Sequence, residues 1–275
     1  QPEYAHLKTF RHPSKIYRPF KAPEDFNAWI AQSADPAYSR LVRHSPEPRL
    51  PHLIHNDLGG LEILPCGWME TASLLDGMKA VFGNHPSFRL MNERLDYAAL
   101  DPATGRLSLG GQQEIFDEII CAEGVGVKNN PWFDWLDIRP LKGQLIDIEV
   151  EGFEPDFVLL RKVFMIPGVK NFYTSGSTYE RHFEHTEPTV EGVELLKGLV
   201  EAAIRLPYRV VEARAALRPS TPNRRPLLGT HPDFPRLHVL NGMGTKGVLQ
   251  APWCAREMRN WLDHPEQLPL KEVRL

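Results

Sequence analysis

Residues 237–264, LHVLNGMGTKGVLQAPWCAREMRNWLDH, constrain the fold more than any other stretch. An apolar run ends in Gly242, Gly244 and Gly247, and Val248, Leu249, Trp253, Met258 and Trp261 then mark an amphipathic helix. Glycines at such a junction let the backbone pass close to a ligand, and the first helical N–H groups point at it. Partial negative charge is favoured there. Two readings stand on this stretch alone: a site for the electron-rich edge of a ligand, or a glycine-rich connection with Lys246 in solvent.

A chain of 275 residues that is 42% hydrophobic and 24% charged is sized for one large core or two smaller ones. Its 32 basic and 35 acidic side chains give a net charge of -3 and no bulk positive field for a polyanion, so nucleic acid is not the expected partner. Cys66, Cys121 and Cys254 are odd in number and lack C-x-x-C spacing, which points away from zinc and a disulfide framework and toward a reducing, cytoplasmic setting. No apolar run approaches the roughly 18 residues of a membrane span, and no signal peptide is present. Gln1 in place of an initiating Met is consistent with a fragment or a processed form.

Along the chain, PSKIYRPF (13–20) reads as an edge strand between prolines, and Phe26, Trp29 and Ile30 mark a short helix after Pro23. The segment 43–57, with its three prolines, reads as loop. A strand ending at Pro65 precedes a helix capped by Thr71 or Ser73, with Leu74, Leu75, Met78, Val81 and Phe82 on one face. Residues 87–126 read as a three-stranded arrangement whose last member, EIICAEG, is buried. Close-spaced strands over 138–180 signal an antiparallel sheet, and Thr189 caps a helix over 189–206. The division expected is 1–65 with 137–212, and 66–136 with 213–275, so that the chain crosses between an antiparallel or mixed sheet region and an α/β region more than once.

Two further stretches could carry chemistry. IICAEGVG is an apolar strand that ends in a small-residue turn, which allows a backbone to approach a dinucleotide and equally allows simple strand termination. In ALRPSTPNRRPLLG, Pro219 holds Arg218 in extended backbone, and a guanidinium so held offers a carboxylate two parallel hydrogen bonds. A solvated arginine beside a turn is the alternative, and Arg224 and Arg225 are read that way. His182 and His185 have no carboxylate or cysteine partner at ligand spacing, so no metal is expected. No G-x-S-x-G nucleophile motif occurs.

Taken in order, EIICAEGVG, IRPLKGQLIDIE, FMIPGVKNFYTSGSTYE, TVEGVELLKGLVEAAIRL, ALRPSTPNRRPLLGTHP and LHVLNGMGTKGVLQAPWCAREM closely resemble the D-amino-acid-oxidase family of flavoproteins, which includes glycine oxidase and sarcosine oxidase. The resemblance covers most of residues 60–265 and, with PSKIYRPF, reaches almost to residue 13. It implies an α/β (α+β) fold in which a Rossmann-like FAD-binding domain, incomplete here, interleaves with a substrate domain on an antiparallel or mixed sheet. The implied function is the C-terminal portion of an FAD-dependent oxidoreductase that oxidises the C–N bond of a small amine or amino acid by hydride transfer to the flavin. The flavin does the redox work while protein groups orient the substrate, so no strong acid or base need appear.

By the same resemblance Arg218 matches the arginine that fixes the substrate carboxylate. Gly242, Gly244, Thr245, Lys246, Gly247 and Val248 match the turn and helix start at the flavin N1 and O2 edge, with Thr245 and Lys246 near the substrate as well. Ala122, Glu123 and Gly124 match the turn beside the FAD diphosphate and ribose, and Leu95 lies near the position that meets the adenine. Departures matter too. Thr245 stands where glycine oxidase has a second substrate arginine, and Phe164 where it has a tyrosine, which argues against glycine as substrate. No cysteine occupies the flavin-attachment position, so FAD is expected to be non-covalent.

The family's opening G-x-G-x-x-G unit is absent from these 275 residues. Roughly 80 residues of βαβ unit and following segment are therefore expected from a missing N-terminal segment or a partner chain, and this chain alone is expected to bind FAD weakly or not at all. The alternatives are an oxidoreductase module that acts on a modified tRNA uridine and a flavin-less binding or structural module.

Overall fold

The computed structural model describes residues 7–267, 271 and 273–275. In chain order the elements begin with β1 (Arg11–Pro19), α1 (Pro23–Ser33), β2 (Val42–Ser45), β3 (Gly60–Met69) and α2 (Thr71–Gly83). Next come β4 (Leu100–Asp101), β5 (Arg106–Leu109), β6 (Gln112–Ile115), β7 (Ile119–Cys121), β8 (Arg139–Glu149), β9 (Val158–Arg161), β10 (Val163–Pro167) and β11 (Phe172–Gly176). The chain finishes with α3 (Val190–Glu201), β12 (Arg209–Ser220), β13 (Leu227–Thr230), β14 (Leu237–Asn241) and α4 (Gly247–Asp263). The fold is mixed α/β. Contacts divide it into two compact units, the first of 1–90, 143–179 and 185–215 and the second of 91–142, 180–184 and 216–275.

The first unit is built on a mixed sheet in the order β12-β8-β11-β10-β9-β1-β3-β2. Every second residue of β8 and its continuation, Ile146, Ile148 and Val150, is buried, and α3 meets that core through Leu196 and Val200, four residues apart on one helical face. Thr189 caps α3 as its sequence predicts, its Oγ1 accepting from Gly192 N at 3.1 Å. Gln144 fixes the cap from the sheet side, because Thr189 N donates to its Oε1 at 2.8 Å. Helix α3 stops at Glu201, before the expected residue 206.

Several expectations give way here. Strand β1 is not an edge: it pairs antiparallel with β3 and parallel with β9. Its pairing with β9 uses only Ile16 and Tyr17, which lie between the prolines, so neither proline owes that neighbour an N–H. The true edge is β2, inside the segment read as loop. Strand β3 runs on past Pro65 to Met69, and neither Thr71 nor Ser73 caps α2; Glu70 holds the cap position and Ser73 Oγ donates to its carboxylate. Residues 66–90 consequently group with the first unit, where α2 brings Gly77 against Leu7 and Phe10.

In the second unit β13, β14 and β7 form one sheet, with β14 parallel to β7 and antiparallel to β13. Strands β4, β5 and β6 form a separate antiparallel sheet. EIICAEG is thus not the third strand of its sequence neighbours, because β7 takes its partner from a run more than a hundred residues later. Ile120, at its centre, is 43% exposed, which corrects the expectation of a wholly buried strand. Cys254 and Met258, four apart on α4, pack with Leu228 of β13, while Val127, Phe133, Ile138, Leu237 and Val239 form a second cluster. Among the described residues no helix is long and apolar enough to cross a membrane.

Candidate functional site

The second unit brings three sequence-predicted stretches together around one side chain. Asn241 ends β14 and is buried. Its Nδ2 donates to Gly124 O at 2.9 Å, and its Oδ1 accepts from Gly242 N at 2.8 Å. A single amide therefore joins the turn after β7 to the turn after β14. The end of β12 lies against both: a Cβ on Gly124 would come 3.8 Å from Pro219 Cγ, and one on Gly244 would come 3.2 Å from Ser220 Oγ. Ser220 and Met243 form a β-bridge at the same place.

Glycine is required at the junction for two reasons. Gly242 has φ +74°, and a Cβ there would come 2.6 Å from Thr221 Cγ2. Thr221 is itself fixed: Arg225 N donates to its Oγ1 at 3.0 Å, and the hydroxyl lies 2.7 Å from Arg225 O, which it can donate to. Arg218, immediately before Pro219, is half-buried and engaged within the protein. Arg224 and Arg225 are exposed.

Gly244, Thr245 and Lys246 form one tight turn, from which α4 starts at Gly247. No side chain caps α4, so the N–H groups of its first turn remain presented. Thr245, Lys246 and Val248 are exposed beside them. Gln250, in the same turn, has a buried Oε1 without a donor among the described residues. Free helical N–H groups, an orphaned acceptor and a backbone cradle that a Cβ would fill are the donor and acceptor set that an isoalloxazine edge matches, so these residues fit a flavin.

Glu123 has its carboxylate committed. Tyr97 OH donates to one oxygen and Asn130 Nδ2 to the other at 2.9 Å. Burial, then Glu123, push the Tyr97 hydroxyl well above its ordinary pKa. Cys121, which accepts from Asn130 at 3.4 Å, is pushed up to about 12, chiefly by burial. Ala122 is exposed. Leu95 is half-buried ahead of β4, and Tyr97, two residues on, makes the link to Glu123. Phe164 belongs to the first unit, in register with Gly176.

Sequence reading missed Asn241, Thr221, Asn130 and Lys142. Lys142 is 1% exposed, with Nζ 3.6 Å from Glu180 Oε2 and a backbone bridge between the same two residues. A lysine inside the apolar run IRPLKGQ was its available signal, as an asparagine closing an apolar strand was that of Asn241. Among the described residues no three His, Cys, Asp or Glu gather as metal ligands.

Known proteins agree with this architecture. The family described as FAD dependent oxidoreductase, DAO, matches residues 10–261. The tRNA 5-methylaminomethyl-2-thiouridine biosynthesis bifunctional protein MnmC of Azoarcus sp. is 26% identical over 78% of this chain and 37% of its own length. Glycine oxidase of Pseudomonas putida is 33% identical over 42% of this chain and 33% of its own. The chain thus spans little more than a third of these relatives. The crystal structure of glycine oxidase from Geobacillus kaustophilus superposes with a TM-score of 0.78 over 97% of this chain and 76% of that one, at 16% identity. With the family matched from residue 10 to residue 261, this chain belongs to the DAO family of FAD-dependent oxidoreductases.

Proposed function

We propose that this chain is part of an FAD-dependent oxidoreductase that oxidises the C–N bond of a small amine or amino acid carrying a carboxylate. The carrying observation is Asn241, whose two hydrogen bonds join both glycine turns at the end of the Arg218 strand. On this reading Gly242, Gly244, Gly247 and Val248 line the flavin's electron-rich edge, where the first-turn N–H groups of α4 stabilise added negative charge. Bound there non-covalently, the flavin supplies the hydride acceptor. Arg218 holds the substrate carboxylate in a two-pronged grip, which fixes the orientation of the C–H bond to be broken. Lys246 and Thr245 flank it as exposed donors. Tyr97 and Asn130 hold Glu123, so that Ala122 and Gly124 present backbone to the cofactor's diphosphate side.

The second unit serves as the flavin part and the first as the substrate part. Strand β7 has a hydrogen-bonded neighbour, β14, on one edge only among the described residues. Further polypeptide that completes the parallel layer is placed along the other edge. A cytoplasmic setting goes with three cysteines that all remain free thiols.

The test starts by loading the protein with FAD, removing free cofactor and looking for bands at about 370 and about 450 nm. Anaerobic bleaching by a panel of carboxylated amines then identifies substrates. Arg218→Ala should raise KM for such a substrate by an amount equal to about 1.5–3 kcal/mol, the worth of a charge-assisted hydrogen bond. Unchanged kinetics remove Arg218 from the role. The relative that makes 5-methylaminomethyl-2-thiouridine in tRNA aligns over 78% of this chain and favours a second reading, in which the amine is a nucleoside substituent. Bleaching by undermodified tRNA and by no free amine would select it.

A further inference from the structure

A basic cluster in the first unit has no part in the function proposed above. Residues 51–57 are stapled to the end of α3: His55 N donates to Ala203 O at 3.1 Å, and Arg205 N to Leu53 O at 2.8 Å. Arg205 Nε also reaches Pro51 O at 3.2 Å. This staple sets the His55 and Arg205 side chains on an open groove of about 980 Å³ floored by Ile204, Leu206, Pro207 and Tyr208. Arg161 ends β9, at a tight turn where Lys162 takes φ +58°.

The charges here are not balanced. Arg161 Nε is buried with no acceptor among the described residues. Arg161 and Arg205 repel each other, and both act on His55, whose pKa is lowered by burial first and by Arg205 and Arg161 next. The opposing charge is Asp57, whose side chain is 82% exposed and pairs with Arg205 at 3.1 Å. Of the groove's other acids, Glu194 pairs with Lys197 at 2.8 Å and Glu201 accepts from Tyr208 OH at 3.3 Å. Like charges gathered around a desolvated guanidinium are unfavourable unless an anion joins them.

We propose that His55, Arg161 and Arg205 form a binding site for a phosphate group, with the groove beside it taking the body of the molecule that carries it. Two guanidinium forks and an imidazole offer more donors than a carboxylate accepts, and a phosphate accepts them in bidentate fashion. The phosphate comes from a small phosphate ester or from an RNA backbone. Both share this chemistry.

The experiment is NMR on protein labelled with nitrogen-15 in its histidines, titrated with inorganic phosphate against sodium chloride at equal ionic strength. A saturable shift of the His55 ring with phosphate alone is expected. Arg161→Gln should weaken phosphate roughly tenfold, whereas Asp57→Asn, which removes an exposed competing carboxylate, should tighten it roughly threefold. His238, held at 2.6 Å by Glu118 in the other unit, reports folding and should not move. The opposite sign of the Asp57 variant keeps the test decisive if Arg161→Gln fails to fold. Equal shifts in chloride, or phosphate affinity untouched by both substitutions, overturn the site. Displacement of phosphate by ADP at low concentration assigns it to small esters and displacement by a short single-stranded RNA assigns it to a nucleic acid; displacement by neither overturns the groove's part in it.

Discussion

In the first unit Lys15, Arg49, Glu62 and Asp156 close a ring of alternating charge: Arg49 contacts Glu62 directly and Asp156 at 2.8 Å, while Lys15 reaches Glu62 at 3.3 Å and Asp156 at 2.9 Å. In the second unit the junction of the glycine turns is held by a neutral amide, Asn241, and its neighbour by another, Asn130. The ring neutralises itself and ties β1 and β3 to the loops at 49 and 156. A neutral staple fixes backbone without placing a field beside it, and so leaves Arg218 and the first turn of α4 as the dominant electrostatic features there. A salt bridge in its place would compete with any charged ligand for the same guanidinium.

The largest effect is expected from Asn241→Ala. Both bonds of the amide are lost in a buried setting, which leaves Gly124 O and Gly242 N without those partners, at a cost of about 2–4 kcal/mol. Chemical denaturation followed by tryptophan fluorescence measures it, and flavin retention should fall with it. A loss no bigger than that of an exposed asparagine would dissolve the distinction between staple and surface.

Glu62→Gln is expected to rank next. The change keeps the shape but removes the negative charge between Arg49 and Lys15, and breaking a well-buried pair costs several kcal/mol. Arg49 and Lys15 keep some contact with water, with side chains 29% and 21% exposed, so about 1–2 kcal/mol is the discounted expectation. Replacing Arg49 by Met and Glu62 by Leu together should cost less than the two single losses summed, and a strictly additive pair would show that the ring is not a unit.

What the sequence discloses follows from the range of each interaction. Thr189 and the face of α4 are legible because a cap and a helical stripe are local, within one turn of their own residues. The pairing of β7 with β14 is not, since nothing in EIICAEG says which distant strand supplies its partner. Strand β1 misleads because prolines argue for an edge, and only the register, which confines its β9 pairing to Ile16 and Tyr17, reconciles them with the interior. The glycine turns and Arg218 are legible as residue types suited to a ligand. Asn241 is not, because an asparagine before a glycine announces a turn and not a bond to a carbonyl 117 residues away.

The smallest effect concerns acid, and it sharpens the contrast because a neutral amide has no titration. A hydrogen bond from Lys15 holds the Asp156 carboxyl below its ordinary range, burial opposes that shift and Arg49 assists it. A depressed folded-state pKa contributes stability that is present above the unfolded value of about 3.9 and is lost as pH falls through the lowered folded value. Asp156 therefore adds stability at neutral pH and gives it up below about pH 4. Its side chain is 63% exposed, so solvent and salt screen the gain, and Asp156→Asn should change neutral-pH stability by no more than about 0.5 kcal/mol. Asp101 and Asp137, lowered by Thr104 and Arg139, keep their own acid sensitivity in the second unit, and the quantity to read is the difference between parent and variant below about pH 4. In Asp156→Asn the acid limb should be shallower, and 1 M salt should bring the parent toward the variant. Identical limbs would mean that Asp156 is a bystander, that Glu62 carries the cations alone, and that the first unit relies on one buried carboxylate as the second relies on one buried amide.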